Sequence, residues 1–352
     1  MSERFEHESL PGRVIFGAGR VAEARSEAQR LGLERVLLVA GEQTHADLLG
    51  PILGPLAVDV IVGAPMHVPI AAAESARARA VAARADGVVA IGGGSATGLA
   101  QAIALTTRLP ILAVPTTYAG SEMTAIWGLT DRDVKTTGRD PLVLPRTVVY
   151  DPDLSRTLPP RLAAASGLNA IAHLVEALWA PGANPLLSAI AEEGVRTLVH
   201  ALPAVVRDPS DEGARTLALR GAWLGGLALG SAGTALHHKL CHVLGGMGLP
   251  HAETHAIVLP YVTAFLAPSA PDAAARLGRA LATDAPGTAL WLLRETLGLP
   301  GALRDVGLDE AQLGRALELG LAAAPAEPRR PDASALERLL RNAFEGAPPA
   351  SF

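Results

Sequence analysis

One cysteine, Cys241, in 352 residues excludes an intramolecular disulfide and any cluster held by several thiolates. Positive charge is scarce as well. The 30 Lys and Arg against 35 Asp and Glu leave a formal net charge of −5, so bulk electrostatics gives nucleic acid no reason to bind. No apolar run is long enough to span a bilayer, although mean hydropathy is +0.28. The most suspicious stretch, Gly221 to Leu236, is uncharged but falls short of the ~20 residues a spanning helix needs. Its Gly, Ala and Ser content, running into His237, His238 and Lys239, predicts a helix packed closely at the centre of a bundle. The start, Met1 to Glu8, is charged and mixed in sign, whereas a signal peptide needs a basic start and an apolar core. The expected location is cytoplasmic, with neither a membrane nor a nucleic acid as partner. Internal repeats, a low-complexity linker and a G-x-G-x-x-G fingerprint are missing too.

What is present divides into two textures. The length suits two domains, each able to bury a core. Up to about residue 150, short apolar runs rich in β-branched residues alternate with helical stretches: Arg35–Ala40, Val58–Val62, Gly87–Ile91 and Ile111–Val114. Near-continuous apolar runs are the mark of parallel strands covered on both faces, and strand–helix alternation argues a doubly wound sheet. A helix is expected over Ala71–Ala85. Beyond Asp151-Pro152 the strand pattern stops, and Ala- and Leu-rich helical segments run on to Arg341. The expected architecture is an N-terminal α/β doubly wound nucleotide-binding domain over residues 1–153 and an all-α helical domain over 154–352.

Ile91-Gly92-Gly93-Gly94-Ser95 follows the third of these strands and opens a helix. Glycines let the backbone approach a ligand without a Cβ, and the helix start behind them offers free N–H groups to a pyrophosphate. A tight strand–helix turn would use the same residues. The next strand leads into a hydroxyl- and glycine-rich loop carrying Thr116, Thr117, Gly120 and Ser121. Open α/β sheets bind ligands at the carboxyl ends of their strands, so both loops are assigned to one nucleotide. In the helical half, Asn169 and His173, His238 and His242, and His251 and His255 are each four apart, a spacing that puts each pair on one helix face. Five of the ten histidines fall between 237 and 255, a density that packing alone rarely requires.

IGGGSATGLAQAIAL (91–105), PTTYAGSEMTAIWGLT (115–130), VKTTGRD (134–140), SGLNAIAHLVEALWA (166–180) and LHHKLCHVLGGMGLPHAETHAIVLP (236–260) occur in this order. Together they resemble the iron-containing alcohol dehydrogenase superfamily, of dehydroquinate synthase-like fold, and within it the maleylacetate reductase branch. The resemblance implies NADH or NADPH as cofactor, a homodimer, and reduction of the C=C bond of maleylacetate to 3-oxoadipate in aromatic catabolism. In metal-dependent relatives the positions matching Asn169, His173, His238 and His251 hold one aspartate and three histidines around a divalent ion. Here the aspartate position is Asn169, a neutral and weak ligand, so no tightly held metal is expected; the branch shows the same Asn.

The reduction sets requirements on the histidines. Hydride added to the alkene carbon β to the ketone creates an enolate, which needs hydrogen-bond donors and then a proton. His173, His238, His242 and His251, with Asn169, are the expected catalytic wall, and His242, which matches a histidine near the nicotinamide in the family, is the favoured proton donor. Arg139 and Lys239 are candidates for the substrate carboxylates, with a solvated surface role equally open for each; Lys135 is assigned to the nucleotide. Departures from the family pattern are Gln101 in place of a usual lysine, one residue fewer between His242 and His251, Tyr261 in place of a usual histidine, and the Ala326–Pro328 region. They leave open a related reductase acting on another unsaturated or keto acid. Two further readings stand beside it: a metal-dependent alcohol dehydrogenase, which Asn169 opposes, and a lyase or cyclase like the dehydroquinate synthases, which would want a strong metal site and a basic phosphate cluster. No acidic residue ends the first of the four strands, Glu42 being the nearest, so NADH against NADPH stays open with NADH favoured.

Overall fold

The computed structural model describes Phe5, His7 and residues 12–349, apart from 67 and 133 and the side chains of 134 and 135. The chain divides into two compact units, one ending at Leu158 and the other beginning at Pro159. The first contains β1 (Arg13–Phe16), α1 (Ala24–Arg30), β2 (Val36–Ala40), α2 (Gln43–Leu53), β3 (Ala57–Val62), α3 (Ile70–Ala82), β4 (Gly87–Gly92), α4 (Gly94–Thr107), β5 (Ile111–Pro115), β6 (Ile126–Asp131), β7 (Val134–Arg139) and β8 (Thr147–Tyr150). Six strands form one parallel sheet in the order β1-β8-β5-β4-β2-β3, while β6 and β7 pair as a separate antiparallel hairpin.

Alternate residues of the strands feed two separate cores. Val36, Leu38 and Ala40 of β2 pack with Ala28 of α1 and Leu49 and Leu53 of α2. Leu37 and Val39 of the same strand pack with Ala76 of α3 and Leu99 and Ile103 of α4. Burial on both faces is why β2, β4 and β5 read as unbroken apolar runs. The edge strand β3 departs from that expectation, with Val60 and Val62 exposed. From β2 the chain crosses to β3 on one side, and from β4 to β5 on the other. The crevice between the ends of the neighbouring strands β2 and β4 is therefore the topological switch point of the sheet, where α/β folds bind ligands.

The second unit holds α5 (Pro160–Ala177), α6 (Pro185–Arg207), α7 (Glu212–Ala232), α8 (Leu236–Gly246), α9 (His251–Leu266), α10 (Pro271–Leu281), α11 (Pro286–Thr296), α12 (Leu313–Ala323) and α13 (Ala333–Glu345). Every residue of α5 from Ala163 to Ala177 is buried, so this helix is the centre of the unit. The small residues of α7 make that possible. A Cβ on Gly225 would lie 2.9 Å from the carbonyl oxygen of Ala170, closer than side-chain carbons come to backbone oxygen. The uncharged stretch from Gly221 is thus helical and in contact with α5 as far as Ala232, but Gly233, at φ 78°, ends α7 before α8 starts at Leu236, and none of the described helices is long and apolar enough to cross a membrane.

Candidate active site

In the α/β unit, Gly92 lies at the end of β4 with φ of 143°, a backbone state that favours glycine. A Cβ there would lie 3.2 Å from the Cα of Gly41, which follows β2, so the switch-point crevice is lined by glycine backbone on both sides. Gly93 faces the side chain of Thr117, 3.1 Å from where its Cβ would be, and the Thr116 N–H donates to the Gly92 carbonyl at 3.0 Å. Gly94 is the first residue of α4 and Ser95 the second, so the free N–H groups of that fourteen-residue helix start in this loop. The Ser121 hydroxyl is buried without a protein partner, and it lies 3.8 Å from where a Cβ on Gly94 would be. The structure therefore brings together Gly92, Gly93, Gly94, Ser95, Thr116, Thr117 and Ser121.

Two residues hold this second loop in shape. Gln101 is buried on α4, and its amide donates to the carbonyls of Ser121 (3.2 Å) and Thr124 (3.1 Å). That accounts for the polar residue at this position. Glu122 is fully buried and accepts from the Tyr150 hydroxyl at 2.7 Å, tying the loop to the end of β8. Burial pushes the Glu122 carboxyl upward, against the Tyr150 hydrogen bond, and lifts the Tyr150 phenol as well. Lys135 belongs to β7, but its side chain lies outside the described residues. Arg139 ends the same strand, exposed.

In the helical unit, α5, α8 and α9 bring histidines into one cluster. The rings of His173 and His238 stack with planes 23° apart and centroids 4.9 Å apart, His238 lies 4.7 Å from His255, and His255 lies 4.3 Å from His251. His242 stands edge-on to His238 at 6.2 Å. His173, His237, His238 and His255 are buried, whereas His242 and His251 are exposed. Burial, reinforced by neighbouring imidazoles, holds the pKa of His173, His237 and His255 well below the usual histidine range, so these rings are neutral at pH 7. Four buried side-chain atoms here have no protein partner: Asn169 Oδ1, His173 Nδ1, His238 Nε2 and His255 Nε2. Buried polar atoms are normally paired, so four together mark a place that receives a ligand.

Sequence reasoning named Asn169, His173, His238, His242 and His251, and the helices bring those histidines into one cluster of rings. It did not name Glu176, His237 or His255 as site residues. Glu176 is wholly buried on α5, and its carboxylate accepts from His238 Nδ1 at 2.6 Å and from the backbone N–H groups of Ala235 (2.9 Å) and His237 (2.7 Å). It thereby caps α8, whose own N-cap residue, Ala235, has no side chain able to do so. His237 and His255 share a hydrogen bond of 2.9 Å, with the buried Cys241 sulfur 3.7 Å from His237. The signal for His255 was its i+4 relation to His251; for Glu176 it was the i+3 step from His173 along α5. Lys239 is exposed on α8, about 100° round the helix from His238. Tyr261 is buried and donates to the Ala347 carbonyl at 2.8 Å, a packing role within the helical unit.

A divalent ion, which the family resemblance implies, can be tested against these atoms. His237, His238 and His255 each offer a nitrogen, all within 4.8 Å of one another. His238 is oriented by a carboxylate on its other nitrogen, the arrangement common behind metal-bound imidazoles. A nitrogen-rich set of this kind suits iron or zinc, so the residues fit an ion in kind. They supply no carboxylate directly, because Asn169 stands where one would be.

Residues 11–152 match the family described as Iron-containing alcohol dehydrogenase, and residues 163–344 match the Fe-containing alcohol dehydrogenase family, C-terminal. The chain is similar to maleylacetate reductase of Sphingobium indicum, 48% identical over 98% of this chain and 99% of that protein. It is also 47% identical to maleylacetate reductase of Pseudomonas knackmussii, over 99% of both chains. The crystal structure of maleylacetate reductase from Agrobacterium tumefaciens superposes with a TM-score of 0.95 at 44% identity, covering 99% of this chain and all of that one. Kinship with iron-containing enzymes lends no support to the expectation that a tight metal is lacking.

Proposed function

The chain belongs to the iron-containing alcohol dehydrogenase family, and on that premise we propose that it reduces the carbon–carbon double bond of maleylacetate with a reduced nicotinamide cofactor, yielding 3-oxoadipate in aromatic-compound catabolism. The observation that carries the reading is the group of unpartnered buried atoms on Asn169, His173, His238 and His255, in a chain aligned end to end with maleylacetate reductases.

The α/β unit holds the nucleotide. Gly93, Gly94 and Ser95 would hold its pyrophosphate through their N–H groups, with Thr116, Thr117 and Ser121 as hydroxyl partners and Lys135 as a further contact. NADH is the proposed form, with Glu42, at the N-cap of α2, the acid nearest the end of β2. The helical unit acts on the substrate. Hydride adds to the alkene carbon β to the ketone, the π electrons move onto the ketone oxygen as an enolate, and the α carbon takes a proton as the ketone reforms. His173, His238 and His251 with Asn169 face the polar end of the substrate. His242, exposed and able to exchange with water, delivers the proton from its ring nitrogen. Arg139 and Lys239 remain the cations proposed for the substrate carboxylates.

A divalent ion, where bound, would be held by Asn169, His173, His238 and His251, the positions that match the metal ligands of relatives, and would supply a Lewis acid to polarise the ketone. With only neutral donors it is held loosely, and turnover does not depend on tight occupancy. The working assembly is proposed as a cytoplasmic homodimer.

The experiment is oxidation of NADH in the presence of maleylacetate, with and without EDTA, for the wild type and His242→Ala. The expected result is fast, EDTA-insensitive turnover in the wild type and a loss of about 100- to 10,000-fold in the variant, with NADH still bound. NADH binding without turnover would move the substrate to another unsaturated keto acid, and near-normal turnover of His242→Ala would remove it as the proton donor.

A further inference from the structure

We propose that Glu176 is a positioning residue of the reduction, acting through His238; this rests on the reading of the histidine group as the substrate site. Glu176 touches none of the atoms left unpartnered for a ligand. It lies behind His238, on the α5 turn after His173, with no exposure to solvent.

The donors around Glu176 decide where the His238 proton sits. Backbone N–H groups can only donate, and two of them fix the carboxylate as an acceptor on both oxygens: Ala235 N–H reaches Oε2 at 2.9 Å and His237 N–H reaches Oε1 at 2.7 Å. The start of α8 favours negative charge at this point. Oε2 also meets His238 Nδ1 at 2.6 Å, so Nδ1 carries the proton of that contact. The ring is then fixed twice over: its tautomer by the carboxylate, and its plane by stacking on His173 at 4.9 Å. Nε2 is left as the single variable position of His238, buried and without a protein partner. Nε2 then presents a lone pair, a position able to hold an ion that would polarise the substrate ketone, and its direction is set before the substrate arrives, as a buried carboxylate sets the histidine of a catalytic triad. Removing the carboxylate frees the ring to carry its proton on the other nitrogen and to turn.

The test has two arms. The first is the long-range proton–nitrogen spectrum of histidine-labelled protein in EDTA, with His238 assigned by its loss in His238→Gln. The expected signal is the Nδ1-protonated ring in the wild type, weakened or lost in Glu176→Gln. The second is a double-mutant cycle on kcat. Glu176→Gln is expected to lower kcat by about 10- to 100-fold with NADH affinity unchanged, and to cost little more once His238 is already Gln. An Nε2-protonated neutral His238 in the wild type would overturn the proposal. So would an equal loss from Glu176→Gln in both backgrounds, which would mark a role confined to capping α8. Should Glu176→Gln fail to fold, the wild-type spectrum decides alone. The spectrum needs no substrate, so a wild type that ignores maleylacetate counts against the substrate reading and leaves the role of Glu176 to be judged separately.

Discussion

Acidification should loosen the helical unit well before its carboxylates titrate. His173, His237 and His255 are buried and held neutral, with pKa values well below the ordinary 6.5 that each regains on unfolding. A histidine depressed in this way binds more protons when unfolded, so its contribution to stability is full above pH 6.5 and is lost as the pH falls below that value. For a ring that stays neutral in the native state, lowering the pH from 7 to 5.5 costs on the order of 1 kcal/mol, and three such rings cost roughly 4 kcal/mol, against a total of roughly 5–15 kcal/mol for a domain. Carboxylates of this unit with depressed pKa, such as Glu192, act in the same direction but only from pH 4.5 downward, so they stay outside this window. Hydrogen exchange of the backbone amides of α5, α8 and α9, in EDTA and corrected for intrinsic rates, reads the opening free energy of this unit alone. A fall of about 4 kcal/mol between pH 7 and 5.5 is expected. Unchanged opening free energies would refute the claim that these rings are buried and neutral.

Asn169→Asp restores an anionic donor beside His173 and should tighten binding of zinc or iron at least tenfold, equivalent to about 1.4 kcal/mol, as measured by metal retained against EDTA. An unchanged metal content would show that the ion, if held, does not use this position. Gln101→Leu leaves the carbonyls of Ser121 and Thr124 without their donor. It should destabilise the α/β unit by about 1–3 kcal/mol and weaken NADH binding, checked by urea unfolding and by quenching of NADH fluorescence.

The α/β unit is legible where the sheet is covered on both faces. Strands β2, β4 and β5 announce themselves as apolar runs because both of their side-chain rows enter a core. The short β1 and the hairpin β6–β7 do not, since their residues are only partly buried and carry no period of their own. The glycine loop was readable for a local reason: a backbone approach that excludes a Cβ forces the residue type wherever it occurs. The same logic fixes Gly225 against Ala170, although there the partner is fifty-five residues away and only the fold reveals it.

The histidine group shows where local reading stops. Spacing of four along a helix predicts that two side chains share a face, and it paired Asn169 with His173 and His251 with His255. It cannot say which face meets which. Only when α8 starts beside the last turn of α5 does Glu176, a lone acid in an apolar segment, become the acceptor for the His238 ring and for three backbone amides. An unpaired acid at a wholly buried position is the one hint the sequence holds, since a carboxylate there must be met by donors from elsewhere. His237 is similar: read along α8 it is the neighbour of His238, but its ring turns to His255. Chemistry made by one helix can be read from its period, whereas chemistry made between helices is written only in how they pack. The buried acid next to a histidine-rich helix is therefore where a search for positioning residues should begin in relatives of this chain.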